Sequence, residues 1–263
     1  MSGDIYMAAA GALATERKLD LIANNLANIN TAGFKRDIGQ FKYAAPDNPV
    51  LLPENYEDID DLPGVSVNDL TAEAFWMEFR TVTDFSSGKF KRTGNTLDVA
   101  INGPGFFTIQ TPEGLRYTRS GDFTINAEGV LTTKDGFPVM GTGGEIQLPD
   151  STGQSGPETV AIDSSGAVTV GTTSVGELQI VDFENLSQLK KIGNSLFAVP
   201  ETGPGFIEAR DYSISQGFLE LSNVDSVRMM TEMIEVLRGY EAYQKVIQSI
   251  DKINQSAIRE VSG

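Results

Sequence analysis

Along the N-terminal segment, apolar residues recur at alternating steps of three and four: Ile5, Ala8, Ala12, Thr15, Leu19, Ile22, Leu26 and Ile29. That spacing is the a/d seam of an amphipathic helix with a seven-residue repeat, small in its first half. A helix of 25 residues would extend roughly 37 Å. Asn24, Asn25, Asn28 and Asn30 crowd its end, where poor helix formers and polar caps belong. Gly33 is placed to supply the positive φ that stops a helix. The C-terminal segment repeats the pattern with Met229, Met233, Val236, Tyr240, Tyr243, Ile247, Ile250, Asn254 and Ala257. Ser222-Asn223-Val224-Asp225 has the form of a capping box and sets the expected helix start near Val224. This second helix carries a further set of apolar residues, Met230, Ile234, Leu237, Val246 and Ile253. A two-helix hairpin is too narrow to cover both sets. Either the pair packs on the rest of the chain, or its remaining apolar faces meet other copies.

Between the ends the period changes. Residues 44–63 hold Pro46, Pro49, Pro53 and Pro63 with six acids and no base, the composition of a solvated loop. The stretch from Asp58 fails as a calcium loop, because Leu62 and Pro63 fall where a ligand and the turn glycine belong. Phe75, Met77 and Phe79 alternate with polar or bulky neighbours and predict an extended segment. From Leu97 onward short runs alternate with period two: Leu97–Ile101, Phe106–Ile109, Leu115–Thr118, Phe123–Ile125 and Val130–Thr132. The pattern continues at Val160–Ile162, Val168–Val170 and Glu177–Phe183, then a short helix at Leu186–Lys191, then Leu196–Val199 and Gly217–Leu221. Turn sequences such as Gly103-Pro104-Gly105 and Ser164-Ser165-Gly166 separate them. Short strands at this spacing without long helices between them predict an antiparallel sheet. The fold class is therefore α+β: an antiparallel β-rich central domain, with long N- and C-terminal amphipathic helices pairing as a coiled coil. Four segments follow: 1–36, 37–85, 86–221 and 222–263.

Charge sharpens this division. The 263 residues carry a net charge of −16, with 20 basic and 36 acidic residues. Residues 1–36 hold 3 acids and 4 bases, and residues 222–263 hold 6 acids and 5 bases. The acidity lies between them: 11 acids to 2 bases over 37–85, and 16 to 9 over 86–221. Like copies approach each other most easily through such neutral ends. An acidic chain is a poor partner for nucleic acid, and no apolar run of 18 residues predicts membrane insertion. The Ile5–Ala14 run follows Asp4 rather than a basic segment, so a cleaved signal peptide is not expected.

Candidate chemistry is thin. With no Cys and no His, thiol catalysis, disulfides, Cys/His zinc sites and His-dependent triads are excluded. The glycine clusters lack both the dinucleotide fingerprint and the phosphate-loop ending, and no cofactor is expected. Asp98 and Asp122 are the least poor candidates for a carboxylate pair, in the manner of a cell-wall glycosidase. A secreted module that binds a ligand through its β domain is the other alternative. Neither an active site nor a metal site is predicted.

Several stretches together resemble one family. Ile22-Ala23-Asn24-Asn25-Leu26-Ala27-Asn28-Ile29-Asn30-Thr31-Ala32-Gly33-Phe34-Lys35 is similar to the N-terminal signature of bacterial flagellar rod and hook proteins. Thr93–Ile101, Gly105-Phe106-Phe107, Tyr117–Gly121, Gln216–Val224 and Glu241–Lys245 agree with it in order. Within that family the length and the opening Asp4-Ile5-Tyr6 are most like the proximal-rod branch, with the distal-rod branch next. The resemblance implies a structural subunit of the axial rod in the periplasm, exported unfolded through the flagellar type III apparatus and not an enzyme. Its partners would be other copies of itself and neighbouring rod proteins. It implies assembly through two seams, Ile5, Ala8, Ala12, Leu19, Ile22, Leu26 and Ile29 at one end, and Met229, Met233, Val236, Tyr240, Tyr243, Ile247 and Ile250 at the other. A signature turn would join the helix to the β domain through Asn24, Asn25, Asn28, Thr31, Gly33, Phe34 and Lys35.

Overall fold

A computed structural model describes residues 2–44, 76–149, 160–200 and 205–261. The acidic loop expected at 44–63 falls, beyond its first residue, outside the described residues. The chain divides into two compact units. One is built from Met1–Asn24, Asp37–Val82 and Val227–Gly263, the other from Asn25–Arg36 and Thr83–Ser226.

The first unit contains both long helices. Helix α1 spans Ser2–Ala27 and helix α2 spans Ser226–Val261. At 1.5 Å per residue they are about 39 and 54 Å long. The Tyr243 ring lies where a Cβ on Gly11 would stand, so a larger residue there would push the ring aside. Thr15 Cγ2 comes within 3.7 Å of the corresponding position on Gly239. One index rises as the other falls, so the helices run antiparallel where they touch. Of the expected seam positions, Ala8 and Ile22 are buried on α1, and Met229 and Val236 on α2. Beside the helices, Asp37–Ala44 pairs with Trp76–Thr83 in a two-stranded sheet. The second strand includes the extended segment expected around Phe79. The first has no clear signature in the sequence, because its charged and apolar positions do not alternate cleanly.

Among the described residues every strand pairing of the second unit is antiparallel. A six-stranded sheet runs in the order Lys190–Gly193, Leu196–Ala198, Gly114–Thr118, Phe106–Thr111, Ile180–Phe183, Phe206–Glu208. Its central hairpin aligns Phe107 with Thr118 and Thr111 with Gly114. Val99–Asn102 pairs with Ser213–Gln216, and Phe90–Arg92 with Phe218–Glu220. A three-stranded sheet joins Val160–Ile162, Ala167–Val170 and Thr173–Glu177. Two apolar clusters hold the unit together. One centres on Val99, Ile101, Phe107, Ile109 and Leu178. The other is aromatic: Phe106, Tyr117, Phe183 and Phe197 meet with ring centroids 4.9–5.8 Å apart, mostly edge to face.

Two expectations need correction. The short helix expected at Leu186–Lys191 is a single 3-10 turn, Leu186–Gln188, followed by an edge strand from Lys190. Asn185 caps the turn through Ser187 N–H, and Leu189, buried in the aromatic cluster, already has extended backbone. The run Glu177–Phe183 is two elements, because Glu177 closes the three-stranded sheet while Ile180 opens its strand in the larger one.

Candidate assembly site

The expected signature turn is where the chain leaves α1, and its last residues, Gly33, Phe34 and Lys35, are held within the second unit by contacts far apart in sequence. Helix α1 ends at Ala27, and successive turn bonds carry the backbone on. Asn28 N–H donates to Asn25 O (3.2 Å), and Thr31 N–H donates to Asn28 O (3.2 Å). The Thr31 hydroxyl donates to Asn28 Oδ1 (3.2 Å). Ile29, an expected seam position, lies in this turn and not on the helix. Asn25 is buried and Asn24 exposed. Gly33 has φ +65° and donates its N–H to Glu220 O at 2.8 Å. Its positive φ is as expected, but it stands six residues beyond the helix and answers a different need. A Cβ there would collide with the backbone of Arg119 and Ser120.

Phe34 and Lys35 follow and are both buried. The Lys191 ammonium sits 3.7 Å from the Phe34 ring centroid and donates to Lys35 O at 2.8 Å. Lys35 itself reaches inward. Its Nζ donates to Glu220 Oε1 at 2.6 Å and to Ser86 O at 2.8 Å, and both partner side chains of the ion pair are only 1% exposed. Gly88 N–H also donates to Glu220 Oε1, at 2.9 Å. Arg119 Nη1 faces Glu220 Oε2 at 3.7 Å, while its guanidinium donates to Ile101 O and Gly103 O and lies over the Phe106 ring. One buried carboxylate thus answers two buried cations. Burial holds the Lys35 ammonium below the usual lysine range, against the pull of Glu220. Burial likewise lowers Arg119.

A second layer lies outside this pair. Arg36 N–H donates to Asn223 Oδ1 (2.7 Å), and the Asn223 amide donates to Asp84 O (2.8 Å) and Ser86 O (3.1 Å). The Arg36 guanidinium binds Asp84 at 2.9 Å. Asp84 is held below the ordinary aspartate range: burial opposes this, but the Ser86 N–H and hydroxyl and the Arg36 charge prevail. A lowered carboxylate stabilises the fold fully above its unfolded pKa and loses that contribution as pH falls through the folded one. The stability gap between the parent chain and Asp84→Asn is therefore expected to be widest at neutral pH and to close on acidification. Urea unfolding along a pH series measures it, and a gap that stays constant contradicts the assignment.

Of the residues in this cluster, the sequence singles out Lys35 and Gly33 but not Glu220, Arg119, Ser86, Asp84 and Asn223. The Ser222 hydroxyl accepts Val224 N–H (3.3 Å), but α2 starts two residues later than the capping box implies. On the seams, Ala12, Leu19, Leu26, Met233, Tyr240, Ile247 and Ile250 are partly covered, whereas Tyr243 is more open. Ile5 lies on α1, in the part where only the backbone is described. Asp98 and Asp122 do approach, through an antiparallel backbone bridge. Their carboxylates are already engaged, Asp98 by Asn95 (2.9 Å), Asp122 by Lys134 (2.6 Å) and the Ser120 hydroxyl. Among the described residues no helix is long and apolar enough to cross a membrane.

Residues 5–35 match the family described as "Flagella basal body rod protein". Residues 100–170 match "Flagellar hook protein FlgE/F/G D1 domain", and residues 215–260 match "Flagellar basal body rod FlgEFG protein C-terminal". The flagellar basal-body rod protein FlgF of Caulobacter vibrioides is 34% identical over 262 residues, covering 99% of this chain and 98% of that protein. The chain belongs to the flagellar basal-body rod protein family. FlgG of Bacillus subtilis is 32% identical over 277 residues, with 98% of each chain covered. FlgF of Mesorhizobium japonicum is 31% identical over 260 residues, again with 98% of each covered. This rod protein is a structural subunit of the flagellar basal body, and its family is not one of enzymes. The matched N-terminal and C-terminal regions contain Lys35 and Glu220, so the buried pair joins two family segments across the β domain.

Proposed function

We propose that this rod protein builds the proximal, FlgF-type part of the rod, assembling through a coiled coil of its two terminal helices. The observation that carries the assembly reading is the uneven burial of the helices: Ile22 and Val236 are buried, while large apolar residues elsewhere on α2 stay exposed. An α-helical pair that leaves such surface wet gains stability when further copies cover it. The FlgF assignment is supported by alignment length. FlgF of Caulobacter vibrioides aligns over 262 residues, whereas FlgG of Bacillus subtilis needs 277, more positions than this chain has. A distal, FlgG-type position is the second reading.

In this reading residues 1–36 and 222–263 form the inner assembly layer, and residues 86–221 form an outer acidic domain joined to it through residues 37–85. Partners are other copies and neighbouring rod proteins within the basal body. The chain reaches the periplasm through the flagellar type III apparatus, with its terminal seams ordering as they dock. The signature turn sets the path between helix and β domain.

Replacing Ile22 or Ile247 by Asp places a charge on the seam. Cells carrying either variant are expected to lose rod incorporation and swimming. Near-UV circular dichroism of the purified variants should retain the aromatic signal of the β domain. Variants that still build rods would remove the seam from the mechanism. Cross-linking in cells then separates the two positions, since a distal subunit would join the hook side of the rod and a proximal one would not.

A further inference from the structure

Asn102 is the only asparagine of the chain that precedes a glycine. It is the last residue of its strand, paired with Ser213, and it is exposed. The side-chain amides of Asn95, Asn126, Asn185 and Asn223 are tied to neighbouring groups. That of Asn102 has no hydrogen-bond partner among the described residues, and the Gly103 N–H has no acceptor among them. The peptide joining the two residues thus lies just outside the ladder, its nitrogen next to an amide carbon that is free to swing. Glycine also leaves that nitrogen without a neighbouring Cβ. Another residue would not fit here, because Gly103 has φ +110° and a Cβ would stand 2.7 Å from Asp211 O.

A buried cation flanks the same peptide. The Arg119 guanidinium donates to Ile101 O at 3.3 Å and to Gly103 O at 2.7 Å, one carbonyl on each side of Asn102. A positive charge close to an N–H favours its deprotonated form, and more strongly where water is excluded. Arg119 therefore assists the step that turns the Gly103 backbone nitrogen into a nucleophile.

We propose that Asn102 is a spontaneous modification site, at which the folded chain converts the side-chain amide to aspartate and isoaspartate through a succinimide. Hydroxide takes the Gly103 N–H proton, and the nitrogen attacks Asn102 Cγ. The new C–N bond closes a five-membered ring, the Cγ–Nδ2 bond breaks, and ammonia leaves with a proton from water, which returns the hydroxide. A second water opens the ring. Cleavage of the new bond at Cγ leaves aspartate, and cleavage of the original bond at the main-chain carbonyl carbon leaves isoaspartate. In sum one amide and one water give one carboxylic acid and one ammonia, and nothing is oxidised or reduced. Isoaspartate routes the main chain through Cγ and lengthens it by one methylene, between the two carbonyls that Arg119 holds. Arg119 also faces Glu220, so this product loosens the cluster that anchors the signature turn.

The test follows purified full-length protein at mildly alkaline pH by peptide mass mapping, with isoaspartate counted by an isoaspartyl-specific methyltransferase. Residue 102 should convert before any other asparagine. Its rate should lie within about ten-fold of that in the same chain unfolded in urea, so that the fold raises the barrier by less than about 1.4 kcal/mol. Asn102→Gln should abolish most of the methyl acceptance. Slower conversion than this, or first conversion at another asparagine, overturns the proposal. Asn102→Asp separates the added charge from the altered main chain. It should melt with the parent, whereas an aged fraction enriched in isoaspartate should melt lower. An aged fraction that melts with the parent overturns the link to Arg119.

Discussion

Replacing Glu220 by Ala is expected to destabilise the β unit by about 3–5 kcal/mol, the usual cost of removing one partner from a buried ion pair. For a unit of this size that lowers the melting temperature by about 10 °C. The reason is the unequal number of charges. Glu220 Oε1 accepts from Lys35 and Gly88, and Oε2 faces Arg119, so one truncation leaves two desolvated cations without an opposing charge. Lys35→Met removes a cation and leaves the carboxylate facing Arg119. It is expected to cost less than Glu220→Ala, and Glu220→Gln should fall between the parent and Ala because an amide oxygen still accepts both hydrogen bonds. Urea unfolding followed by tryptophan-independent circular dichroism gives the ranking. A Glu220→Ala variant within about 1 kcal/mol of the parent, or one milder than Lys35→Met, would show that the cluster tolerates its charges separately.

That cluster also shows where sequence reasoning stops. The helices were legible because a seven-residue period is a local signal, repeated over a length that chance patterns do not reach. The antiparallel character of the β unit was legible for a similar reason: turn glycines and alternating apolar residues punctuate Val99–Thr118 at short intervals. Lys35 and Glu220 are 185 residues apart. Nothing local distinguishes Glu220 from the other acids, and its neighbours Leu219 and Leu221 mark it only as a strand residue. Asn223 was read as part of a helix cap, yet its amide works sideways, bridging Arg36, Asp84 and Ser86. Leu186–Lys191 was misread because four polar or basic residues around two leucines satisfy a helical template as well as a turn. Packing of Leu189 into the aromatic cluster decided between them. Local period thus fixed which elements form, whereas long-range contacts fixed how the signature turn is held.

Gly33→Ala is the second large effect, and it tests that hold without altering any charge. An L residue at φ +65° costs roughly 1–2 kcal/mol in itself. The added methyl also has no room, since it points into the Arg119–Ser120 backbone and not at a flexible side-chain end. Relief requires the turn to lift, which breaks the Gly33 N–H bond to Glu220 O and draws Phe34 and Lys35 away from Lys191 and Glu220. A total loss of about 3–4 kcal/mol is expected, close to that of Glu220→Ala. Since both substitutions release the same contacts, the double variant should fall well short of the sum of the two. Additive losses would mean that Gly33 and Glu220 act independently. Native-state hydrogen exchange supplies the structural readout: in Gly33→Ala, amides of residues 33–36 and of Gly88 should lose protection while the Phe106–Thr118 hairpin keeps its own. If all of them exchange alike, the turn is an inseparable part of the β unit, and Gly33 does not govern a local attachment.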